Sequence, residues 1–209
     1  MTLTVFGASG RSGVPLVEQA LAAGHHVKAF VRDPAKLPVK GDKLEVIQGD
    51  AKTFGDVRRA VEGADAVLST IGHTKSSSKD VQSVATDNII RAMKETGVKR
   101  FISLTGAGVK DPNDEPKFVD RIFGFLLKTF AKDVIQDAER HAELIRASGL
   151  DYVIVRGPRL TDGQHTGNYK AGYVGKDSGT QISRADVADF MLKQASSDKW
   201  LGKAPMVSY

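Results

Sequence analysis

A regular alternation of short apolar runs with helix-spaced segments is the feature that most constrains how this chain can fold. Runs of β-branched and aromatic residues predict six strands, at residues 2–6, 26–32, 44–48, 66–70, 100–105 and 151–156. Helical spacing predicts helices at residues 14–23, 54–62, 81–96 and 133–148, and a glycine directly follows each of them. Glycine ends a helix because it enters the left-handed region at little steric cost. Helices of this kind link parallel strands by right-handed crossovers, so we predict a doubly wound α/β fold with a parallel sheet covered on both faces.

The last quarter of the chain has a different pattern. Residues 157–179 are rich in glycine and poor in apolar runs, which predicts loops with a short strand near residues 172–174. We predict a brief strand at residues 181–182, a helix at 184–195 and a closing strand at 205–209. Because 209 residues are the size of one domain, we predict a single domain over residues 1–209, in which residues 157–209 form a small extension with the substrate-side loops.

Composition excludes several classes of protein. The chain has no cysteine, which excludes disulfides and thiolate metal sites, and its five histidines lack the spacing of metal ligands, so we expect no metal. The net charge is only +5, and we expect no nucleic acid partner. No apolar run is long enough to cross a membrane, and the first residues do not have the pattern of a signal peptide. We therefore expect a cytoplasmic protein, as a monomer or a weak homodimer.

The glycine-rich segment after the first predicted strand is the strongest motif. Its residues are Gly7, Ala8, Ser9, Gly10, Arg11, Ser12 and Gly13, and a predicted helix follows directly. Gly7 allows a tight turn, Gly10 lets the backbone approach a pyrophosphate, and Gly13 permits close packing of the helix on the sheet. The start of the helix offers unpaired N–H groups to the phosphates, and Ser9 and Ser12 add hydroxyl donors. The motif therefore predicts a dinucleotide site, and the missing lysine of a phosphate-binding NTPase loop disfavours a kinase or GTPase.

The end of the second predicted strand bears on the choice of cofactor. A carboxylate at this position usually binds the ribose hydroxyls of NAD. Here the strand ends at Arg32, with Lys36 four residues later and Arg11 as a third candidate cation. Guanidinium and ammonium groups suit a 2′-phosphate. We therefore predict NADP(H) as the cofactor, with NAD(H) as the alternative because Asp33 follows the arginine directly.

Several segments together resemble the atypical short-chain dehydrogenase/reductases. They are GASGRSG at 7–13, VRDPAKL at 31–37, GDA at 49–51, SLTGAG at 103–108 and SGLDYVIVRGP at 148–158. The resemblance runs from residue 2 to about residue 200 and is strongest to the compact NAD(P)H-binding reductases that are similar to biliverdin reductase B, also called flavin reductase. It implies a Rossmann-like NAD(P)-binding fold.

The resemblance also implies cofactor-binding residues beyond the glycine loop. They lie after the third, fourth, fifth and sixth strands, where the carboxyl ends of parallel strands meet the cofactor. These residues are Asp50 and Ala51 beside the adenine, Thr70, Ile71 and Gly72 under the adenosine and pyrophosphate, and Leu104, Thr105 and Pro158 beside the nicotinamide.

The catalytic pair of the wider superfamily is a tyrosine with a lysine four residues later, and this spacing is absent. None of the four tyrosines has a lysine at that position, and the helix at 133–148 offers Ile135 and Glu139 instead. We therefore predict a reductase that transfers hydride to a conjugated, aromatic acceptor of flavin, quinone or bilin type, with the proton from solvent. Thr105 is the candidate catalytic hydroxyl; orienting the nicotinamide amide, or capping a strand, is the alternative role.

Two other functions stay open: a non-catalytic NAD(P)-sensing regulatory protein, and an enzyme similar to nucleotide-sugar epimerases or dehydratases. His73 and Lys75 follow the fourth strand, where they either meet an acidic substrate or form a polar loop. His165 and Tyr169 are candidates for a lid. An apolar helix predicted at 117–131 belongs either to the core or to the wall of a pocket for a flat substrate.

Overall fold

A computed structural model of the chain describes residues 1–74, 77–116, 131–176 and 178–209. The strands are β1 (Thr2–Phe6), β2 (His26–Val31), β3 (Leu44–Gln48), β4 (Ala66–Ser69), β5 (Arg100–Gly106), β6 (Asp151–Gly157), β7 (Arg159–Thr161), β8 (Lys170–Gly172), β9 (Gln181–Ser183) and β10 (Met206–Ser208). The described helices are α1 (Gly13–Ala22), α2 (Phe54–Val61), α3 (Val81–Thr96), α4 (Lys132–Arg146) and α5 (Arg184–Gln194), and a 3-10 turn spans Pro34–Lys36.

Eight strands form one sheet in the order β3-β2-β1-β4-β5-β6-β10-β8. All neighbours pair in parallel except β8, which runs antiparallel to β10. The strand order reverses between β1 and β4, and this is where an open α/β sheet leaves a crevice for a ligand at its carboxyl edge. The remaining two strands, β7 and β9, pair in parallel in a small second sheet. The predicted doubly wound α/β fold, Rossmann-like in its strand order, is confirmed.

The hydrophobic core lies on both faces of the large sheet. Successive residues of a strand point to opposite faces, and β1 shows this, since Leu3 and Val5 pack in a cluster with α1 and α5 while Phe6 packs in the other cluster with α2, α3 and α4. Burial on both faces explains why the central strands read as nearly continuous apolar runs.

The sequence predicted most ends of the strands and helices to within two residues of their observed positions. Gly24, Gly63, Gly97 and Gly149 follow α1 to α4 and all have positive φ, between 74° and 84°, as the predicted helix ends require. The strand predicted at 172–174 is wrong in position, because β8 pairs through Lys170–Gly172 and the Val174 N–H instead donates to the Asp114 carboxylate, at 3.0 Å. Residues 117–130 of the predicted apolar helix lie outside the described residues.

Among the described residues, no helix has both the length and the apolar character that a membrane crossing requires.

Candidate functional site

The glycine loop makes a tight turn between β1 and α1. Gly7 has a φ of +74°, which favours glycine, and its carbonyl accepts a hydrogen bond from the Gly10 N–H at 2.9 Å. A Cβ on Gly13 would lie 2.1 Å from the Gly7 carbonyl oxygen, so only glycine lets α1 pack this closely on the strand. The loop therefore has the geometry that its glycines predict.

The start of α1 leaves backbone donors free. The N–H groups of Arg11 and Ser12 donate to no described residue, and the Ser12 side chain does not cap the helix. Ala8 is buried, whereas Ser9 and Ser12 are half-buried and Gly10 is exposed. Free N–H groups at the positive end of a helix dipole form an anion site. These residues fit the pyrophosphate of a dinucleotide.

The segment after β4 packs directly on this loop. Thr70 Oγ1 donates to the carbonyls of Phe6 and Gly7, both at 3.2 Å, and a Cβ on Gly7 would lie 2.9 Å from the same hydroxyl. Ile71 is half-buried and Gly72 is exposed. The structure therefore brings the predicted residues of the β4 end against the glycine loop, at the crevice between β1 and β4.

The cations after β2 differ in their partners. Arg32 is exposed, and its guanidinium contacts no charged or polar group of the described residues. Asp33 Oδ1 accepts the Ala35 N–H at 3.1 Å and so caps the 3-10 turn, and its Oδ2 lies 3.5 Å from Lys36 Nζ. The aspartate that complicated the choice of cofactor therefore has a local structural role, and Arg32 remains available for a ligand.

Arg11 points elsewhere. Its guanidinium donates to Asp162 Oδ2 at 2.5 Å, and Asp162 also accepts from Arg184 at 2.6 Å. The two guanidinium groups hold the pKa of Asp162 below its usual value, chiefly through the hydrogen bond from Arg11. This bridge joins the glycine loop to the segment after β7 and to the start of α5. Sequence reasoning missed it because the partners are separated by 151 residues.

The segment after β3 contains Asp50 and Ala51, the two residues that the resemblance places beside the adenine. Asp50 is exposed, and its Oδ1 accepts the Lys52 N–H at 2.9 Å. The carbonyl of Ala51 accepts a hydrogen bond from the side chain of Asn88 on α3, at 3.0 Å. In the sequence, the signal for this contact is the polar Asn88 directly before Ile89 and Ile90, and it was missed.

The ends of β5 and β6 lie side by side. Thr105 pairs in register with Arg156, and Gly106 with Gly157, directly before the half-buried Pro158. Leu104 is buried, and its carbonyl accepts from Gln82 Nε2 at 3.0 Å. Thr105 is only 5% exposed, yet its hydroxyl has no hydrogen-bond partner among the described residues. Such an orphaned buried hydroxyl is costly unless a ligand or water satisfies it.

A buried polar cluster lies behind these strand ends. Asp137 on α4 accepts the backbone N–H of Gln82 at 2.8 Å and of Ser83 at 3.0 Å, and it also accepts the Ser83 hydroxyl. Its Oδ2 lies 2.8 Å from Nε2 of His73, although the ring N–H is not aligned well enough for a regular hydrogen bond. From the sequence, His73 either meets an acidic substrate or belongs to a polar loop; the structure gives it a buried carboxylate partner.

One turn further along α4, His141 is fully buried. Its Nδ1 lies 2.6 Å from Thr86 Oγ1 and its Nε2 lies 3.3 Å from Ser103 Oγ. Burial lowers the pKa of His141 to about 4, against a smaller opposing effect of Asp137. This histidine is therefore neutral at pH 7.

Tertiary packing also places a lysine beside a tyrosine, although the two residues are 24 positions apart in the sequence. Lys193 Nζ lies 3.3 Å from the Tyr169 hydroxyl, but that hydroxyl donates to Asp189 Oδ2 at 2.5 Å. Burial and the carboxylate together raise the pKa of Tyr169. His165 lies in the same group, with Nε2 3.6 Å from Asp189 Oδ1. The two candidate lid residues thus contact one helix, α5.

Comparison with known proteins agrees with this geometry. Residues 7–198 match the family model described as NAD(P)H-binding. Reductase pytE of Aspergillus terreus is 27% identical, over 100% of this chain and 98% of that protein. An uncharacterised chloroplastic protein of Arabidopsis thaliana is 30% identical over 78% of this chain, and the match spans 61% of its own length.

Solved structures share the fold over the whole chain. A short-chain dehydrogenase/reductase of Veillonella parvula in complex with NADP has a TM-score of 0.81 at 20% identity, covering 100% of this chain and 94% of its own. ChuY, an anaerobillin reductase from Escherichia coli O157:H7, also has a TM-score of 0.81, at 22% identity, covering 100% and 97%. The glycine loop, the strand order and these matches confirm the resemblance to atypical short-chain reductases, and the chain belongs to the NAD(P)H-binding family.

Proposed function

We propose that this protein is an NADPH-dependent oxidoreductase that reduces a conjugated acceptor of flavin, quinone or bilin type. The observation that carries the proposal is the carboxyl edge of the sheet. There, the free N–H groups of Arg11 and Ser12 and the orphaned hydroxyl of Thr105 lie at the ends of β1 and β5, on either side of β4. An anion site at one end and an unsatisfied polar group at the other suit a dinucleotide laid across the strand ends.

The preference for NADPH rests on the partners of three side chains. Asp33 Oδ1 caps the 3-10 turn and its Oδ2 lies 3.5 Å from Lys36 Nζ, so this carboxylate already has local partners that compete with ribose hydroxyls. Arg32 is exposed beside it, with Lys36 one turn on. Guanidinium recognises phosphate strongly through paired hydrogen bonds, so we assign Arg32 as the main contact to the 2′-phosphate and Lys36 as a weaker one.

The acceptor class rests on what the tyrosines are able to do. A lysine beside a tyrosine favours phenolate and lowers the tyrosine pKa, as the conventional dehydrogenase mechanism needs. Asp189 has the opposite effect on Tyr169, whose pKa is raised. An acceptor that is already electrophilic and conjugated needs no such pair, because the bound nicotinamide supplies the hydride and the protein supplies position.

Relatives with known names support the reductase class. Reductase pytE matches along nearly its whole length, and the name of ChuY makes a bilin one acceptor to include in any assay. We propose a flat small-molecule acceptor in the cytoplasm, bound to a monomer or weak homodimer folded as a single domain. Residues 157–209 then provide the acceptor side of the site.

Oxidation of NADPH in the presence of FMN, FAD, riboflavin, menadione and biliverdin tests this proposal. We expect at least one acceptor to be reduced, and no reduction by a folded Gly10→Val variant. If NADPH binds and no acceptor in the panel is reduced, the non-catalytic NAD(P)-sensing function is favoured.

The tyrosines provide a second test of the mechanism. Tyr152→Phe, Tyr169→Phe and Tyr173→Phe should each keep most of the reductase rate, because none is expected to transfer a proton. An essential acid or base contributes about 10²–10⁴-fold, so its loss is easily measured. A folded variant that binds NADPH and is a hundredfold slower would instead indicate a conventional tyrosine mechanism.

A further inference from the structure

His73 stands in the segment between β4 and α3, at the carboxyl edge of the sheet. Its side chain is 16% exposed, and Nε2 faces the Asp137 carboxylate at 2.8 Å. The other ring nitrogen, Nδ1, has no hydrogen-bond partner among the described residues, and it is not among their buried unpaired atoms. The ring therefore has one nitrogen against a buried carboxylate and one that is accessible.

The Asp137 carboxylate is buried and hydrogen-bonded to the backbone, unlike a carboxylate in an exposed surface ion pair. Its side chain is 2% exposed and accepts hydrogen bonds from the first turn of α3, through the N–H groups of Gln82 and Ser83. The N-cap residue of that helix, Asp80, makes no side-chain cap, so Asp137 caps α3 from a distance of 55 residues along the chain. Asp137 thus holds a fixed negative group 2.8 Å from Nε2 of the imidazole.

The same residues connect His73 to the candidate nicotinamide position. Gln82 donates its N–H to Asp137 and its side-chain amide to the carbonyl of Leu104, at 3.0 Å. The next residue is Thr105, whose buried hydroxyl lacks a partner among the described residues. Because β4 and β5 are neighbours in the sheet, the His73 segment and Thr105 lie at adjacent strand ends.

We propose that His73 is the proton donor to the acceptor and that Asp137 is its positioning residue. This inference rests on the proposed reductase function and replaces solvent as the immediate source of the proton. The nicotinamide supplies two electrons and one hydrogen as hydride, and is oxidised. The acceptor gains that hydride and one proton from Nδ1–H of the His73 imidazolium, whose neutral ring then regains a proton from water.

The Asp137 carboxylate lies 2.8 Å from Nε2 and so places a buried negative group directly beside the ring. Asp80, just before α3, is a further carboxylate that interacts electrostatically with His73. A purely structural role for His73 would leave proton transfer unchanged when the residue is replaced.

Single-turnover oxidation of NADPH should be followed with each of FMN, menadione and biliverdin that the parent reduces. We expect His73→Gln to slow the reaction about 10²-fold or more, as for loss of a general acid. His26→Gln is the matched control, because His26 is exposed at the opposite edge of the sheet. Added imidazole should partly restore the rate of His73→Ala, and it should not affect the parent.

Nitrogen NMR of labelled histidine gives a readout that does not depend on activity. In the parent protein, the neutral ring of His73 should carry its proton on Nε2, towards Asp137, and Asp137→Asn should abolish that preference. A Nδ1–H ring, or a His73→Gln rate within threefold of the parent, would overturn this inference and leave the reductase function intact. A parent that reduces none of the five acceptors named for the proposed function would overturn both.

Discussion

At the scale of single residues, local roles decide which charges are free to bind a ligand. Asp33 is committed to the 3-10 turn, and Lys36 lies close to it. Arg11 is committed to Asp162. Arg32 is left as the exposed guanidinium at the end of β2. Cofactor specificity at the end of β2 therefore depends more on the hydrogen-bond and ion-pair partners of the neighbouring charged residues than on the net charge of the segment.

Arg32→Ala should weaken NADPH by about 1.5–3 kcal/mol, the usual contribution of a hydrogen bond to a charged group. NADH has no 2′-phosphate and should be affected much less. Titration calorimetry with both cofactors measures the difference, and Arg140→Ala on the exposed face of α4 controls for the loss of one positive charge. Equal losses for both cofactors would show that Arg32 does not recognise the phosphate.

Gly10→Val should fold and yet fail to bind the dinucleotide. A Cβ at residue 10 would meet only the Gly7 carbonyl oxygen, at 3.1 Å, which requires a small adjustment of the loop. The rest of the side chain would project where the pyrophosphate is expected. Gly55→Ala is the control, because a Cβ there meets nothing within 4 Å. Normal NADPH affinity in a folded Gly10→Val protein would contradict the assignment of this loop.

At the scale of elements, buried side chains connect strands and loops whose contact the local sequence pattern does not indicate. Arg156 on β6 is fully buried, and it donates to both oxygens of Asp114, at 2.6 and 2.7 Å. It also donates to the carbonyls of Val109 and Ala204, and Asp114 in turn accepts the Val174 N–H. One ion pair thus connects the segment after β5, the approach to β10 and the segment after β8, next to Pro158.

Asp114→Ala should lower the free energy of unfolding by about 3–5 kcal/mol, because it leaves the Arg156 charge buried without its partner. Asp198→Ala removes a second aspartate, one that accepts from Arg100 at 2.6 Å but is 77% exposed. That change should cost about 1 kcal/mol or less. Urea unfolding of both variants measures the contrast. If both variants lost the same free energy of unfolding, removing the partner of the buried Arg156 would be no more costly than removing an exposed ion-pair partner.

At the scale of the whole molecule, the sheet is covered on both faces, and polar groups inside one layer make stability depend on pH. His141 lies between α4, α3 and β5, and its pKa is lowered to about 4 by burial. The unfolded chain binds a proton at this residue below about pH 6.5, and the folded chain does so only below about pH 4. Stability must therefore fall as the pH falls between these two values.

We expect the free energy of unfolding to decrease by about 3 kcal/mol as the pH falls from about 6.5 to about 4, at 1.36 kcal/mol for each pKa unit. His141→Gln should be less stable at pH 7 and should lose most of the pH dependence in this window, with a smaller part left by His25, whose pKa burial also lowers. His26→Gln should keep the dependence. The lowered pKa of Asp186, about 2, adds a further loss of stability only at lower pH. Urea unfolding across the pH range measures these slopes, and a slope that persists in His141→Gln would assign it to another group.

The sequence alone determined the features that depend on neighbouring residues. Helical and strand periodicity, glycines at positive φ and the glycine loop after β1 are local, because backbone preference and side-chain alternation act over a few residues. These features were enough for the fold class, the order of elements and most of the residues assigned to the cofactor. They also placed Thr105 at the end of β5.

Tertiary structure decided the partners. Asp137 and Gln82 are separated by 55 residues, Arg156 and Asp114 by 42, and Arg11 and Asp162 by 151. Nothing in the local pattern of either residue indicates the other, because each pair meets only where the crossovers stack helices and loops on the sheet. From the sequence alone, a charged side chain is equally consistent with exposure to solvent and with a buried ion pair. Only the tertiary packing distinguishes these two environments. For this reason the proposal for His73 depends on the tertiary structure, whereas the glycine loop could be predicted from seven consecutive residues.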